Sequence, residues 1–390
     1  MRAHWSLDAA VSYLNHGSFG ACPRAVLEEQ SRLRAELEAE PVRFLVRELE
    51  GRLDAALGAL GTFLGAQAAD LAFVSNATSG VNAVLRSLDF APGDEILITD
   101  HAYGACEAAA RYVAQRSGAK VVVAQVPFPL SGPGEVVEAV LGAAGPRTRL
   151  ALLDHITSPT ALVWPIADLV SGLASRGIDT LVDGAHAPGM VPLQIASLGA
   201  AYYAGDCHKW LCAPKGSAFL YVRPDRQERI VPPVISHGWT ERGSGRSRFR
   251  RLFDWTGTFD PTPSLCVPEA LRLMASLVPG GWPQIMARNR GAARRARDAL
   301  CAALGLAAPA PDGMLGAMAS IPLASKAPES PPGAIDFVQE SLWREERIEV
   351  PVLRWGDPPR RVLRVSSQLY NVEAEFARLT EALSDRVERY

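Results

Sequence analysis

Tyr202-Tyr-Ala-Gly-Asp-Cys-His-Lys-Trp210 is an apolar, strand-like run that ends in a histidine, a lysine and a tryptophan. Upstream, a second apolar run, Thr180-Leu-Val-Asp183, closes on a carboxylate and continues into Gly184-Ala185-His186. Two successive strands thus deliver a lysine and an aspartate at their ends. Most lysines are solvated surface charges, so Lys209 gains meaning from what surrounds it. The same texture of short apolar runs and helical stretches extends in both directions. Strands are predicted at 71–75, 95–99, 120–125, 149–154, 180–182, 200–204 and 218–222, with helices at 79–88, 105–117, 134–144 and 166–176. Runs rich in Val, Ile and Leu separated by helices predict an α/β fold whose mostly parallel seven-stranded sheet is covered on both faces. In such sheets ligands bind beyond the carboxyl ends of the strands. That rule gathers Ser75, His101, Asp154, Asp183 and Lys209 on one rim.

Before the sheet, helical patterns cover 23–40 and 41–64. After residue 264 the pattern changes to long helices (264–278 and 283–304), strands at 317–323, 349–354 and 361–366, and helices at 334–347 and 372–387. The expected organisation is an N-terminal segment, 1–22, that lines the active site, a large domain, 23–263, and a small C-terminal α+β domain, 264–390.

The 390 residues are 48% hydrophobic, enough for a sizeable core, and 40 basic against 42 acidic residues give a net charge of −2. That balance argues against nucleic acid or a membrane surface as partner. The cluster Arg242 to Arg251 reads as a solvated loop or a gate for an anionic substrate. No signal peptide is evident, and no apolar run reaches the roughly 20 residues needed to span a bilayer. The six cysteines lack CxxC or framework spacing and read as reduced thiols of a cytoplasmic protein. The seven histidines show no HxxxH or HExxH spacing, so no metal site is expected. A GxxxxGK[ST] phosphate loop is absent.

Lysine and aspartate so placed suit a pyridoxal phosphate (PLP) site. The amine condenses with the cofactor aldehyde, and the carboxylate keeps the pyridine nitrogen protonated. With an ordinary pKa near 10.4, only about one lysine in a thousand is neutral at physiological pH. Trp210 supplies desolvation and His208 positive charge. Asp183 alone can equally cap a helix. Ser75-Asn-Ala-Thr-Ser-Gly80, between a strand and a helix, offers amides and hydroxyls to a phosphate, though such residues also cap helices that bind nothing. Thr256-Gly-Thr258 is a second hydroxyl source. Either Tyr103 or His101 can stack on the pyridine ring, with Tyr103 preferred. Arg364, flanked by Leu363 and Val365, is either ion-paired within the fold or a bidentate clamp for a substrate carboxylate.

Together these stretches resemble the class V aminotransferase family of fold-type I PLP enzymes, and within it the isopenicillin N epimerase-like subgroup. The resemblance runs through Tyr13-Leu-Asn-His-Gly-Ser-Phe-Gly20, Ser75-Asn-Ala-Thr78, Asp154-His-Ile-Thr-Ser-Pro159, Val182-Asp-Gly-Ala-His186, His208-Lys-Trp-Leu-Cys-Ala-Pro-Lys-Gly216, Thr256-Gly-Thr258 and Leu363-Arg-Val-Ser-Ser-Gln-Leu-Tyr-Asn371. It implies that Lys209 is the Schiff-base lysine, that Asp183 pairs with the pyridine nitrogen, and that His186 lies near the phenolic oxygen. It implies further that the Ala77 and Thr78 amides and His208 bind phosphate. Ser158 stands where related desulfurases carry an asparagine by the ring oxygen. Arg364 would hold the substrate carboxylate, and Asn15 and His16 would line the pocket. Thr258 would reach the cofactor of the other subunit of a homodimer. Many family members carry serine where this chain has Asp206, and a carboxylate there is expected to turn away from the phosphate or to contact something else.

The implied activity is PLP chemistry at Cα of an amino-acid substrate, epimerase-like by subgroup, with Tyr103 or His16 as a second acid/base beside Lys209. The alternatives are a C–S lyase, which needs only Lys209 as base, and an aminotransferase. No cysteine follows residue 301, which argues against a persulfide mechanism that places its cysteine shortly before the arginine. A non-enzymatic sensor on the same fold would lack Lys209, Asp183 or Arg364, and all three are present.

Overall fold

Seven strands form one sheet in the order 71–74, 218–222, 202–206, 179–183, 148–154, 95–99, 120–124. Ala218–Val222 runs antiparallel to both of its neighbours and the remaining pairs are parallel. The computed structural model describes residues 1–240, 245–324, 327–331 and 333–389. Side chains alternate across the pleat. Leu97, Ala151, Leu153, Val182 and Tyr203 point into one buried cluster, and Ile96, Ile98, Leu150, Leu152, Leu181 and Tyr202 into another. Helices Ala77–Ser87, Gly104–Ser117 and Arg248–Asp254 seal the second face. Arg24–Ala39, Leu49–Leu64, Pro133–Ala143, Ile166–Ala174 and Val267–Ser276 seal the first. Runs that read as continuously apolar are therefore strands with two dry faces.

The smaller C-terminal domain carries a three-stranded antiparallel sheet, ordered 352–355, 360–366, 318–323. It packs with helices Gly281–Ala303, Phe337–Glu346 and Glu373–Arg389 around Ala296, Leu300, Ile321, Leu342, Leu363 and Leu379. The N-terminal segment belongs to both halves. Ser12 and Tyr13 pair in parallel with Ile348 and Glu349, and Leu14 enters the C-terminal core. Among the described residues, no helix is long and apolar enough to cross a membrane.

Two local readings change. Near its start the predicted 41–64 helix is a six-residue π-helical stretch, Arg43–Glu48, that leads into Leu49–Leu64. The arginine-rich segment is neither a solvated loop nor a gate in its described part. Arg248–Asp254 is a helix whose Phe249, Leu252 and Phe253 are buried. Arg246 and Arg250 each pair with both Asp54 and Asp254. Arg242 lies outside the described residues.

Because both faces of the sheet are dry, Leu152→Ala and Leu153→Ala, adjacent residues on opposite faces, are expected to cost a similar ~2–5 kcal/mol. Urea unfolding checks this. A near-neutral effect of either one would contradict two-sided burial.

Candidate active site

The strand Tyr202–Asp206 is wholly buried, and beyond it the chain turns sharply through Cys207–Gly216. The N-terminal segment clamps that turn. His16 Nε2 lies 3.1 Å from the Lys209 carbonyl and Nδ1 lies 2.8 Å from the Tyr370 hydroxyl. Gly20, at φ 69°, passes so close that a Cβ there would lie 2.2 Å from the His208 carbonyl; only glycine fits. Lys215 Nζ donates to the Gly20 carbonyl at 2.9 Å.

This corrects the expectation for His16. It is fully buried behind Lys209 and does not line the cavity. Burial pushes its pKa down to about 3, so the ring is neutral, with Nε2–H donating to the Lys209 carbonyl and Nδ1 accepting from Tyr370. Both nitrogens are committed, which removes His16 as an acid/base or substrate contact. Asn15 is also behind the wall. Its Nδ2 donates to Glu349 Oε1 at 3.0 Å and its Oδ1 accepts from the Ser18 hydroxyl at 2.5 Å. Ser18 and Phe19, rather than Asn15 and His16, reach the cavity. The Asn-His-Gly-Ser-Phe motif was legible, but which of its residues face inward depends on the turn at His16–Phe19.

The cavity has a volume of about 490 Å³ and opens at the carboxyl ends of the strands. Lys209, Asp183, Asp154, Asp206, Tyr103 and His186 line it, with Ala77, Thr78, His208 and Ser158. Asp183 is 4% exposed. Its Oδ2 accepts the Cys106 thiol at 3.1 Å and its Oδ1 accepts the Ala185 amide at 3.0 Å. Among the described residues no cation lies within ion-pairing distance of it. Burial raises its pKa, with the thiol, the amide and Lys209 opposing. A buried carboxylate in this state calls for a positive partner. Cys106 and Asp154 were not read as site residues. Asp154 stands opposite Asp183 in the parallel ladder, and burial followed by the Asp183 charge holds its pKa well up.

Tyr103 and His101 separate cleanly. His101 is buried among Trp355, Trp164 and Phe128, with its nitrogens on Thr160 Oγ1 (2.6 Å) and the Val126 carbonyl (2.9 Å). Tyr103 lines the cavity and is 45% exposed. Its strand lies three spacings from that of Lys209, roughly 14 Å, with the strand of Asp183 between them. His186 receives the Trp210 indole N–H on Nδ1 at 3.5 Å. Burial pushes its pKa well down, which leaves a neutral ring with its proton on Nε2.

At the other end of the cavity, helix Ala77–Ser87 presents its first turn. Asn76 accepts the Ser79 amide at 2.8 Å, and Asp206 Oδ1 accepts the Ala77 amide at 2.8 Å. The Thr78 amide has no acceptor among the described residues. His208 Nδ1 donates to the Ser217 carbonyl at 2.8 Å, and its Nε2 lies 3.7 Å from Asp206 Oδ2. Lys209 Nζ is 3.2 Å from the same oxygen. Of the two expectations for Asp206, that it turns away or that it contacts something else, the second describes its place: it sits in the cavity wall and holds both the lysine and the helix terminus. Thr258 is exposed and does not reach the cavity of its own chain.

Arg364 lies in the strand Arg360–Ser366 and is 3% exposed. One terminal nitrogen donates to the carbonyl and the hydroxyl of Ser158, each at 2.9 Å, and the other donates to Ser18 Oγ at 2.9 Å. Its Nε has no partner, and no carboxylate pairs with it among the described residues. Burial pushes it down to about 10. The contrast lies three residues away, where Arg361 is equally buried but pairs with Asp336 at 2.9 Å. Ser158, expected at the cofactor, orients Arg364.

A doubly-wound sheet with a lysine, a buried carboxylate and an unpaired arginine around one cavity defines the class. The Aminotransferase class-V family profile matches residues 20–251, and the chain belongs to that family. It is 40% identical to the isopenicillin N epimerase of Amycolatopsis lactamdurans over 98% of this chain and 97% of that one. It is 37% identical to the isopenicillin N epimerase of Streptomyces clavuligerus (98% and 96%), and 30% identical to an L-cysteine desulfhydrase of Arabidopsis thaliana (97% and 88%). Among solved structures, it superposes on a lysine-to-alanine variant of C-DES with glycine covalently linked to the PLP cofactor, with TM-score 0.81, 23% identity and 99% of both chains covered. The Escherichia coli cysteine desulfurase CsdA gives TM-score 0.79 at 22% identity, covering 100% of this chain and 98% of that one.

The buried neutral histidines make an acid-stability prediction. His16 and His155 are held at about 3 and about 4 by burial, against an ordinary 6.5. Between those values and 6.5 the unfolded chain binds more protons than the folded one, so stability is present above pH 6.5 and is lost as pH falls. His16 is expected to contribute about 1.4 kcal/mol per pH unit across that window. His16→Gln should flatten the pH 6-to-4 slope of the unfolding free energy while lowering stability at pH 7. An unchanged slope would show that His16 titrates normally in the fold.

Proposed function

We propose that the chain is a PLP-dependent enzyme acting at Cα of an amino-acid substrate, with epimerisation as its reaction. The observation that carries the reading is that two buried charges lack ionic partners at one cavity that also holds Lys209: the Asp183 carboxylate in its wall and the Arg364 guanidinium directly behind Ser158 and Ser18, which line it. PLP fits that charge pattern. Its pyridinium nitrogen answers Asp183, its phosphate answers the Thr78 amide, and the carboxylate of an amino acid answers Arg364. When bound, the cofactor supplies an aldehyde for amines and an electron sink for the bond to Cα.

The protein does the rest. Asp183, oriented by Cys106 and Ala185, stabilises positive charge at the ring nitrogen. His186 offers Nε2–H to the phenolic oxygen. Arg364, splayed between Ser158 and Ser18, fixes the substrate carboxylate. Lys209 moves the proton at Cα on one side. Tyr103, which approaches from the other side, covers the ring and is the candidate second acid; burial raises its pKa and keeps the phenol protonated. Ala77, Thr78 and His208 face the phosphate.

We further propose a cytoplasmic homodimer in which Thr258, exposed in its own subunit, reaches the partner's cofactor. The division into 1–22, 23–263 and 264–390 is kept as the domain proposal. The epimerase reading follows the higher identity to the two epimerases. A C–S lyase is the second reading, supported by the full-length relatives named L-cysteine desulfhydrases.

Lys209→Ala is expected to abolish the visible absorbance of lysine-bound PLP. Arg364→Met should raise KM for the amino-acid substrate roughly a hundredfold and lower kcat less, since it removes a buried charge pair. A panel of amino acids in D₂O decides the reaction. Deuterium at Cα with inversion supports epimerisation, pyruvate and ammonia indicate the lyase, and conversion of the cofactor to its amine form indicates transamination. Absence of Cα exchange with every amino acid would sink the reading.

A further inference from the structure

The function above leaves two carboxyl groups of the cavity, Asp154 and Asp206, without a task, and Asp206 is the one with a cation beside it. Asp206 is 4% exposed and closes the central strand Tyr202–Asp206. It is committed on both oxygens. Oδ1 accepts the Ala77 amide at 2.8 Å, 129 residues away in sequence, and Oδ2 lies 3.2 Å from Lys209 Nζ and 3.7 Å from His208 Nε2. These three partners are the groups that a phosphate-bearing aldehyde would require: a helix-terminal amide and an imidazole for the phosphate, an amine for the aldehyde. The carboxylate is not needed to terminate the helix, because Asn76 already caps it at the Ser79 amide.

We propose that Asp206 is an internal anion which, in the cofactor-free enzyme, occupies the Ala77 amide in place of the phosphate and pairs Lys209, and which must release both for the cofactor to load. This rests on the reading of the cavity as a PLP site. The physical content is a competition. A helix N-terminus favours one anion close to its amides, and a carboxylate beside a phosphate dianion is a like-charge contact that costs several kcal/mol. Asp206 therefore stabilises the empty site, in which Lys209 and the helix terminus would otherwise be partly buried positive groups with no counter-charge. It weakens the loaded site by the same token. The serine that the family resemblance leads one to expect at this position imposes no such competition.

The test is equilibrium binding. Purified holoenzyme is stripped of cofactor and titrated with PLP, read by the absorbance of the lysine-bound form. Inorganic phosphate is then added as competitor to give its own affinity. Asp206→Asn keeps an oxygen for the Ala77 amide but removes the charge, and Asp206→Ser guards against a defect specific to the amide. Thermal unfolding of each stripped variant reports whether the fold is kept. Both variants are expected to bind PLP and inorganic phosphate more tightly, by about tenfold or more, and the stripped variants to unfold at lower temperature than the stripped parent. Folded variants with unchanged or weaker phosphate affinity would overturn the proposal and make Asp206 a supporting acceptor for the helix. If the stripped parent takes up no PLP, and its spectrum matches that of Lys209→Ala, the PLP reading fails and this proposal with it, a result distinct from tight binding that ignores residue 206.

Discussion

The parallel sheet is dry on both faces, and that constraint determines where chemistry can occur. Along strands such as Leu150–Leu153 or Tyr202–Ala204 no side chain meets water, so a polar residue in mid-strand would be buried without a partner. Polarity can enter only where the strands end. Asp154, Asp183 and Asp206 each occupy the last position of their strand; the parallel ladder pairs Asp154 with Asp183 and Asp183 with Ala204, two residues before Asp206. The antiparallel strand Ala218–Val222 returns the chain after Lys209 without disturbing that alignment. The active site is thus the rim that the packing of the sheet leaves open.

That rim is electrostatically incomplete. Three buried aspartates face two cations, Lys209 and Arg364, and only Asp206 is close enough to pair with one of them. Asp154 and Asp183 lie side by side with raised pKa values, and Arg364, behind the lining residues Ser158 and Ser18, has a lowered one. Separated buried charges of opposite sign, each supported by neutral donors or acceptors rather than by each other, cost stability in the folded chain. They are retained where a ligand carries the matching charges. Cys106 on Asp183 and Ser158 with Ser18 on Arg364 hold each group's geometry without neutralising it.

Sequence texture was a good guide to the sheet because alternating burial and strand length are local properties. Every strand of the large sheet was located to within about two residues, and Lys209, Asp183, His186 and Tyr103 do meet in the cavity. What escaped the sequence were facts of direction. Asn15 and His16 were read as pocket residues from their motif, yet a short turn swings Ser18 and Phe19 inward and leaves His16 behind the lysine. Ser158 was assigned to the cofactor, and the structure adds that while lining the cavity it also accepts from Arg364 with its hydroxyl and carbonyl. The arginine-rich segment was read as loop because charge obscured Phe249, Leu252 and Phe253, whose spacing suits a helical face. Cys106 gave no signal, since a cysteine in the first turn of a helix has no distinguishing spacing; Asp154 was placed on the rim but given no role, which needed its ladder partner Asp183 to be seen.

The N-terminal segment joins these elements into one device. Ser12 and Tyr13 pair with the C-terminal domain, and Asn15 links Glu349 to Ser18, which holds Arg364. One residue later the same segment turns to the large domain, where His16 holds the Lys209 carbonyl and Gly20 packs against His208. The lysine comes from one domain and the arginine from the other, so their separation is set by how the domains meet. A continuous stretch of six residues, Asn15 to Gly20, touches the supports of both. The turn at His16–Phe19 therefore bears on how far apart Lys209 and Arg364 stand. That gives a physical reason for a buried histidine, and for a glycine that no side chain can replace, behind the wall of the cavity.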